Sequence, residues 1–331
     1  MNSLLCCYFP TKIVFVDDNS RMLKSLRAIL DMNVASYDFF DDPYTALEFI
    51  NNSQTINFLS PSFSIREREV EEIYKTIYNP KRHEEVSTVI VDYEMPGMKG
   101  LEFCEKLNNP HIRKILYTGV ADEELAIQAF NKGIIDGFIR KNTTGQAAVI
   151  NEFIRESQFK YFKSLTGSSV ESIIKEYAVG NPEDTALYDP VFASYFNELL
   201  EKNNICEYYL NDISGGFVFL TSKGRPSALF IYSEENFENI QLEFQGIFEN
   251  KIAEGKRISS SLIKDLEENR KTVCLPFCGV KMQPDPEVWE KYAYPVQTLK
   301  GNQTYYVAYV PDADYVNHSE IISFEKYSRS K

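Results

Sequence analysis

The 331-residue chain lacks any apolar run of membrane-span length, so no transmembrane helix is expected. Its opening residues, MNSLLCCYFPTK, are apolar but short, and they lack the basic start of a signal peptide. A cytoplasmic protein is expected. Positive charge is in deficit. Lys and Arg number 35 against 48 Asp and Glu, a net charge of −13, which argues against nucleic acid as a general partner because phosphate affinity comes from Lys and Arg. Histidine is scarce, with three in the chain, and none lies beside the acidic motifs described below. The six cysteines (Cys6, Cys7, Cys104, Cys206, Cys274, Cys278) are scattered. The Cys274–Cys278 pair has neither the usual zinc spacer nor a second pair, so free thiols are expected. A Gly-rich Lys-Ser/Thr phosphate loop is also missing.

What is present is an alternation of short apolar runs and helical patterns. Ile13–Val16 ends in Asp17-Asp18, and NSRMLKSLRAIL follows with leucines at helical spacing and Ser20 as candidate cap. ASYDFF reads as a second strand, and Asp42-Pro43 as a helix start with Asp at the cap and Pro in the first turn. STVIVD, KILYT and DGFIRK read as three more strands. Between and after them lie the helical patterns GLEFCEKL, DEELAIQAFNKG (Asp122 the candidate cap, Gly133 the stop) and TGQAAVINEFIRESQFKYFKSL. Repeated βα units of this length imply an α/β fold with a doubly wound, five-stranded parallel sheet.

Residues 52–85 interrupt the rhythm where a short connection is expected. SIREREVEEIYKTIY within them has Ser64 and Glu67 at capping-box spacing. Val70, Ile73, Tyr74 and Ile77 fall on one helical face, and Pro80 ends the pattern. An inserted amphipathic helix is expected, facing either its own domain or a partner.

Chemistry gathers at the strand ends. Asp17 and Asp18 close the first strand, Asp92 the third and Thr118 the fourth, and Lys141 follows the fifth. In the usual 2-1-3-4-5 order these ends are neighbours on the edge that faces the ligand crevice. Three clustered carboxylates repel unless a cation or proton intervenes. Oxygen-only ligands suit Mg²⁺ or Mn²⁺, which can neutralise an incoming phosphoryl group while a carboxylate attacks it.

This set resembles the receiver domain of two-component response regulators, through Asp17-Asp18, Asp92 in DYEMPGMKG, Thr118-Gly119, and Lys141 after GFIR. The resemblance covers about residues 11–145, less the insertion. It implies Asp92 as phospho-acceptor, with Asp17, Asp18, Asp92 and the main-chain carbonyl of Glu94 as the Mg²⁺ ligands. It implies Lys141 as the phosphate-pairing cation, Thr118 as the switch hydroxyl and Phe138 as the switch aromatic. A histidine kinase or phosphotransfer protein is the implied partner. One departure is Asn142, which stands where the family usually carries a cis-bonded proline.

The expected organisation is a receiver at 1–145 carrying the insertion 52–85, a helical linker at 146–180 that could dimerise the chain, and an output domain at 181–331. The linker is read as two helical pieces broken at TGSS, 166–169. The output domain reads as α+β. ICEYYL, GGFVFLT and PSALFIYS form an antiparallel meander, EENFENIQLEFQGIFENKI and SSLIKDLEENR are helices, and TYYVAYVP is a late strand. Its aromatic residues read as core. Residues 160–331 hold 18 Lys and Arg against 25 Asp and Glu, with no basic recognition helix, which argues against DNA binding. Two output readings stand: a protein-binding or dimerising module, and a nucleotide- or small-molecule-binding, even enzymatic, one with Asp212, Lys223 and Arg225 as polar candidates. The stretches KILYTGVADEELAIQAFNKGIIDGFIRK and EYYLNDISGGFVFLTSKGRPSALFIYSEENF resemble a smaller group of response regulators, some linked to quorum sensing, whose output domain is uncharacterised.

Overall fold

The computed structural model describes residues 4–53, 55, 73–119, 123–141, 144–177, 185–212, 214–275 and 285–330. Most of the expected inserted helix, the Asp122 cap, Asn142 and Cys278 lie outside the described residues. Two compact units are present. One contains Tyr8–Phe58, Asn79–Gly167 and Phe324–Lys331, and the other Met1–Cys7, Leu59–Tyr78 and Ser168–Ser323.

The chain starts with a two-residue strand, β1 (Cys7–Tyr8), that belongs to the second of two sheets. Five strands then build the first sheet: β2 (Lys12–Val16), β3 (Ser36–Phe40), β4 (Val86–Asp92), β5 (Arg113–Thr118) and β6 (Gly137–Arg140). Their order is β3-β2-β4-β5-β6 and every pairing is parallel, the doubly wound arrangement expected from the βα alternation. Residues Ile13 to Val16 and Val89 to Val91 are buried, as strands covered on both faces require.

Helices α1 (Ser20–Arg27), α2 (Pro43–Asn51), α3 (Gly100–Glu105) and α4 (Glu123–Asn131) connect these strands. The cap of α1 is Asn19, not Ser20. Its side-chain oxygen accepts from the amides of Arg21 and Met22, the geometry of a cap at that position. Asp42 caps α2 through the Thr45 amide, with Pro43 in the first turn as expected.

Helix α5 runs unbroken from Gln146 to Tyr177, correcting the expected break at 166–169. The Thr166 hydroxyl donates back to the Phe162 carbonyl at 2.8 Å, so it is satisfied within the helix instead of capping a new one. A lone glycine in a helix costs about 1 kcal/mol, which packing of a long helix readily offsets. Polar contacts tie the first part of α5 to the segments just before β2 and just after α1. Gln158 Oε1 accepts from the Thr11 amide at 3.0 Å and the Thr11 hydroxyl at 2.8 Å, and Asn151 Oδ1 accepts from the Asp31 amide at 2.9 Å. Ile150 and Ile154 join Ile13, Phe15, Ile90 and Tyr117 in one core.

The second sheet has seven strands in the order β1-β7-β8-β9-β12-β11-β10. Beyond β1 these are β7 (Ile205–Leu210), β8 (Phe217–Thr221), β9 (Pro226–Ser233), β10 (Lys271–Val273), β11 (Ala293–Lys300) and β12 (Thr304–Val310). Adjacent strands from β7 to β10 in that order pair antiparallel. The meander and the late strand are where the sequence predicts them, whereas β1, β10 and β11 are not legible from it. Strand β11 reads weakly because half its residues face solvent without regular alternation. Helices α6 (Pro190–Lys202), α7 (Glu234–Ala253) and α8 (Ser260–Glu267) accompany this sheet. The aromatic residues are core: Phe196 lies 4.8 Å from Phe217 and 5.5 Å from Phe219, and Phe237 stacks on Tyr306 at 4.2 Å. Trp289 is buried against Phe244 and Phe248.

A short final helix, α9 (Phe324–Arg329), returns to the first unit. There the rings of Phe324 and Tyr327 lie 5.1 and 5.3 Å from that of buried His83.

Candidate functional site

The carboxyl edge of the parallel sheet gathers most of the residues singled out from the sequence. Asp17 directly follows β2, Asp92 is the last residue of β4, Thr118 the last of β5, and Lys141 directly follows β6. One carboxylate oxygen each from Asp17, Asp18 and Asp92 lies within 4.8 Å of the others. Asp17 is buried, Asp92 half-buried and Asp18 exposed, so the group opens to solvent on one side. Asp17 is oriented by its own chain: its Oδ1 accepts from the Asn19 amide at 2.9 Å, while Asn19 caps α1.

Lys141 spans Asp17 and Asp92. Its Nζ lies 2.9 Å from Asp17 Oδ2 and 2.8 Å from Asp92 Oδ1. Its backbone amide donates to the Thr118 carbonyl at 2.8 Å, which ties the end of β6 to the end of β5. Burial pushes the Asp92 carboxyl above its ordinary range, and the nearby Asp17 charge adds to this, while Lys141 pulls the other way. Burial disfavours the Lys141 ammonium, but its bonds to Asp92 and Asp17 outweigh that and raise its pKa. Three carboxylates against one ammonium leave an excess of negative charge, the condition that favours a bound cation.

The donor set fits a hard divalent cation. It offers oxygen atoms only, from carboxylates spaced for one ion and open to water on the Asp18 side, as Mg²⁺ prefers. Glu94, itself exposed, lies two residues past Asp92 in the loop that follows β4. That loop is tightly held. The Gly100 amide donates to the Tyr93 carbonyl at 2.9 Å, and a Cβ on Gly100 would sit 2.2 Å from the Asp92 carbonyl oxygen. The Tyr44 hydroxyl donates to the Gly97 carbonyl at 2.8 Å, and Gly97 has φ +80°, which a side chain would resist.

Thr118 is fully buried, with its hydroxyl donating to the Gly119 carbonyl at 3.3 Å. Phe138 is half-buried within β6 and pairs in register with Leu116. It is not part of the acidic cluster. Sequence reasoning passed over Tyr117, which sits beside Asp92 in the β4–β5 register. Its ring centroid lies 5.2 Å from Lys141 Nζ. The available signal was an aromatic residue at a strand end directly before the Thr118 position. The candidates in the second half do not converge. Asp212 lies in the turn before β8, accepting from the Ser214 amide at 2.6 Å, whereas Lys223 and Arg225 lie in the turn after β8.

A model of the response regulator receiver domain matches residues 62–153, a span that includes Asp92, Thr118, Phe138 and Lys141. Among solved structures, the response regulator LqsR of Legionella pneumophila is 32% identical, with 98% of this chain and 95% of that one covered and a TM-score of 0.74. An uncharacterised protein of Neptuniibacter caesariensis is 21% identical over 48% of this chain and 95% of its own, with a TM-score of 0.35. A CheY-like receiver domain protein of Methanospirillum hungatei is 22% identical over 47% of this chain and 98% of its own, with a TM-score of 0.34. No curated protein matches. The parallel unit is therefore a receiver domain, and the chain belongs to the response regulators. Its likeness to LqsR extends through the antiparallel unit as well. Among the described residues, no helix is long and apolar enough to cross a membrane.

Proposed function

We propose that Asp92 accepts a phosphoryl group from the phosphohistidine of a histidine kinase or phosphotransfer protein, or from a small donor such as acetyl phosphate. The observation that carries this reading is the convergence of Asp17, Asp18, Asp92 and Lys141 on one sheet edge. An Asp92 carboxylate oxygen attacks phosphorus. With phosphohistidine the P–N bond breaks, and the leaving imidazole nitrogen keeps the electron pair and takes a proton from water. With acetyl phosphate the P–O bond breaks, and acetate leaves with the pair. Asp17, Asp18, Asp92 and the Glu94 carbonyl would hold Mg²⁺ or Mn²⁺, which when bound neutralises the transferred group's charge. Lys141 pairs with a phosphoryl oxygen, and Thr118 donates its hydroxyl to another. Phe138 rotates into the space Thr118 leaves.

The receiver at 1–145 then acts through the helical linker 146–180 on the output domain 181–331, in a soluble, cytoplasmic homodimer. A protein-binding or dimerising output is favoured, because the second half is acidic and its polar candidates lie at opposite ends of β8. The resemblance to quorum-sensing-linked response regulators supports a role in that signalling. A second reading is a small-molecule output. It has one observation behind it, a groove of about 430 Å³ between α6 and strands β11 and β12, lined by Tyr195, Glu198, Lys202, Gln297 and Tyr309. A saturable thermal shift of the full chain with a nucleotide or metabolite would favour it.

Phosphopeptide mapping after acetyl phosphate treatment tests the acceptor. Label is expected on the Asp92 peptide only with Mg²⁺ or Mn²⁺ present, and none in Asp92→Asn. Label that persists in Asp92→Asn would overturn the assignment.

A further inference from the structure

Tyr117 is a tyrosine buried at the site edge, and the phosphoryl chemistry proposed above does not call on it. Three groups meet it. Its ring faces Lys141 Nζ, at 5.2 Å from the centroid, on the partly desolvated sheet edge. Its hydroxyl oxygen accepts from Gln146 Nε2, the first residue of α5. Its O–H points to Met22 Sδ in α1, at 3.8 Å. The ring also packs with Ile150 and Ile154 of α5 in the sheet core. Tyr117 therefore touches Lys141, the cation shared by Asp17 and Asp92, at one end and the start of the 32-residue helix at the other.

We propose that Tyr117 is a positioning residue that holds the Lys141 ammonium toward Asp92 and carries its movement to α5 through Gln146. The inference rests on the acceptor reading of Asp92. Lys141 is shared between Asp17 and Asp92. A phosphoryl group on Asp92 adds about −1.5 to −2 charges and three acceptor oxygens, and the ammonium shifts toward them. The ring follows the cation it attracts. The hydroxyl moves with the ring, and the Gln146 contact is strained or released. This route runs on the face of the sheet that packs α1 and α5, and it needs neither Thr118 nor Phe138.

The two ends can be separated by substitution. Tyr117→Leu removes ring and hydroxyl. Tyr117→Phe keeps the ring and removes the hydroxyl, and Gln146→Ala removes the partner and leaves the site untouched. The full chain is measured in two ways with Mg²⁺ present: the rate of labelling by acetyl phosphate, and hydrogen exchange of residues 146–154 with and without beryllofluoride. Tyr117→Leu should label about three- to thirtyfold more slowly, the range of a partly desolvated cation–π contact, and Tyr117→Phe should restore the rate. Tyr117→Phe and Gln146→Ala should both lose the beryllofluoride-dependent change in exchange. Wild-type labelling in Tyr117→Leu would overturn the positioning role. A full exchange response in both Tyr117→Phe and Gln146→Ala would overturn the coupling. If Tyr117→Leu does not fold, the near-isosteric Tyr117→Phe and the surface-side Gln146→Ala still decide the coupling. Beryllofluoride failing to bind the wild type would overturn the acceptor reading, and this inference with it. Binding by the wild type without these variant effects would overturn this inference alone.

Discussion

The two sheets of this protein spend their residues differently. At the carboxyl edge of the parallel sheet, charged groups from three strand ends crowd together, and burial pushes one of them, Asp92, away from its preferred ionisation. In the antiparallel unit aromatic side chains are packed, with Phe217 and Phe219 of β8 in contact with Phe196 of α6. Charged candidates there sit apart in turns. The first arrangement holds like charges close together at a partly buried edge. The second gathers aromatic packing contacts around a sheet. The receiver site is thus recognisable from a set of charged groups that converge, three acids and a lysine, and the second unit has no such acidic set among its described residues.

Each unit has one glycine against which the contrast can be tested. Gly100 faces backbone: a Cβ there would lie 2.2 Å from the Asp92 carbonyl oxygen. Gly100→Ala should cost about 3 kcal/mol, the upper range of overpacking, and should slow phosphorylation because the acceptor strand must shift. Denaturant midpoints and acetyl phosphate labelling measure both. Unchanged labelling would mean that the edge tolerates movement after all.

Gly301 faces a side chain. A Cβ would sit 2.1 Å from Asp189 Oδ2, whose carboxylate caps α6 through the Val191 amide at 2.8 Å and accepts from the Asn302 amide at 2.6 Å. Gly301→Ala should cost about 1–2 kcal/mol, the worth of a helix cap, since the buried carboxylate is pushed off the Val191 and Asn302 amides. Labelling of Asp92 should be unaffected. A phosphorylation defect in this variant would show that the two units do not keep their tasks separate.

Removing the exposed acid acts only through the cation. Asp18→Ala should weaken Mg²⁺ binding at least about tenfold, on the order of 1.4 kcal/mol, with little change in the apo protein's stability. Calorimetric titration measures the affinity directly, and an unchanged value would remove Asp18 from the site.

The smallest effect is on alkaline stability. Burial raises the Cys104 thiol to about 12 from an ordinary 9.0, because the thiolate is disfavoured inside the receiver. A raised folded-state pKa stabilises fully below the unfolded value and is lost as pH climbs toward the folded one. Receiver stability should therefore be flat in this respect up to about pH 9 and then decline, with the decline smaller in Cys104→Ala. Denaturation series at stepped pH would detect it, and equal slopes for the two proteins would discard the assignment.

Much of the receiver was legible because its signals are local and repeated. Strands buried on both faces leave uninterrupted apolar runs, and the strand-end acids follow them at once. Asp42-Pro43 announced a helix start that α2 uses. Less was legible where local chemistry offers equivalent choices. Asn19 and Ser20 can both cap a helix, and the backbone path at Asp17 selected Asn19. TGSS reads as a break, but within a helix already held by Asn151 and Gln158 the Thr166 hydroxyl turns inward and the helix continues. Strands β10 and β11 carry little alternation, since their pairing with each other and with β12 supplies the order their patterns lack.

From the sequence alone came the βα alternation, the parallel sheet and the five strand-end residues. Each depends on contacts within a few positions along the chain or on a periodicity that one face of a strand or helix imposes. Only the tertiary structure decided that Lys141 divides itself between Asp17 and Asp92, and that Tyr117 stands between that ammonium and Gln146. It also decided that α9 returns to pack its aromatic rings around His83. These contacts join residues up to 244 positions apart, as with His83 and Tyr327. No local propensity encodes such a distance. It is set by which faces remain to be buried once the sheets have formed.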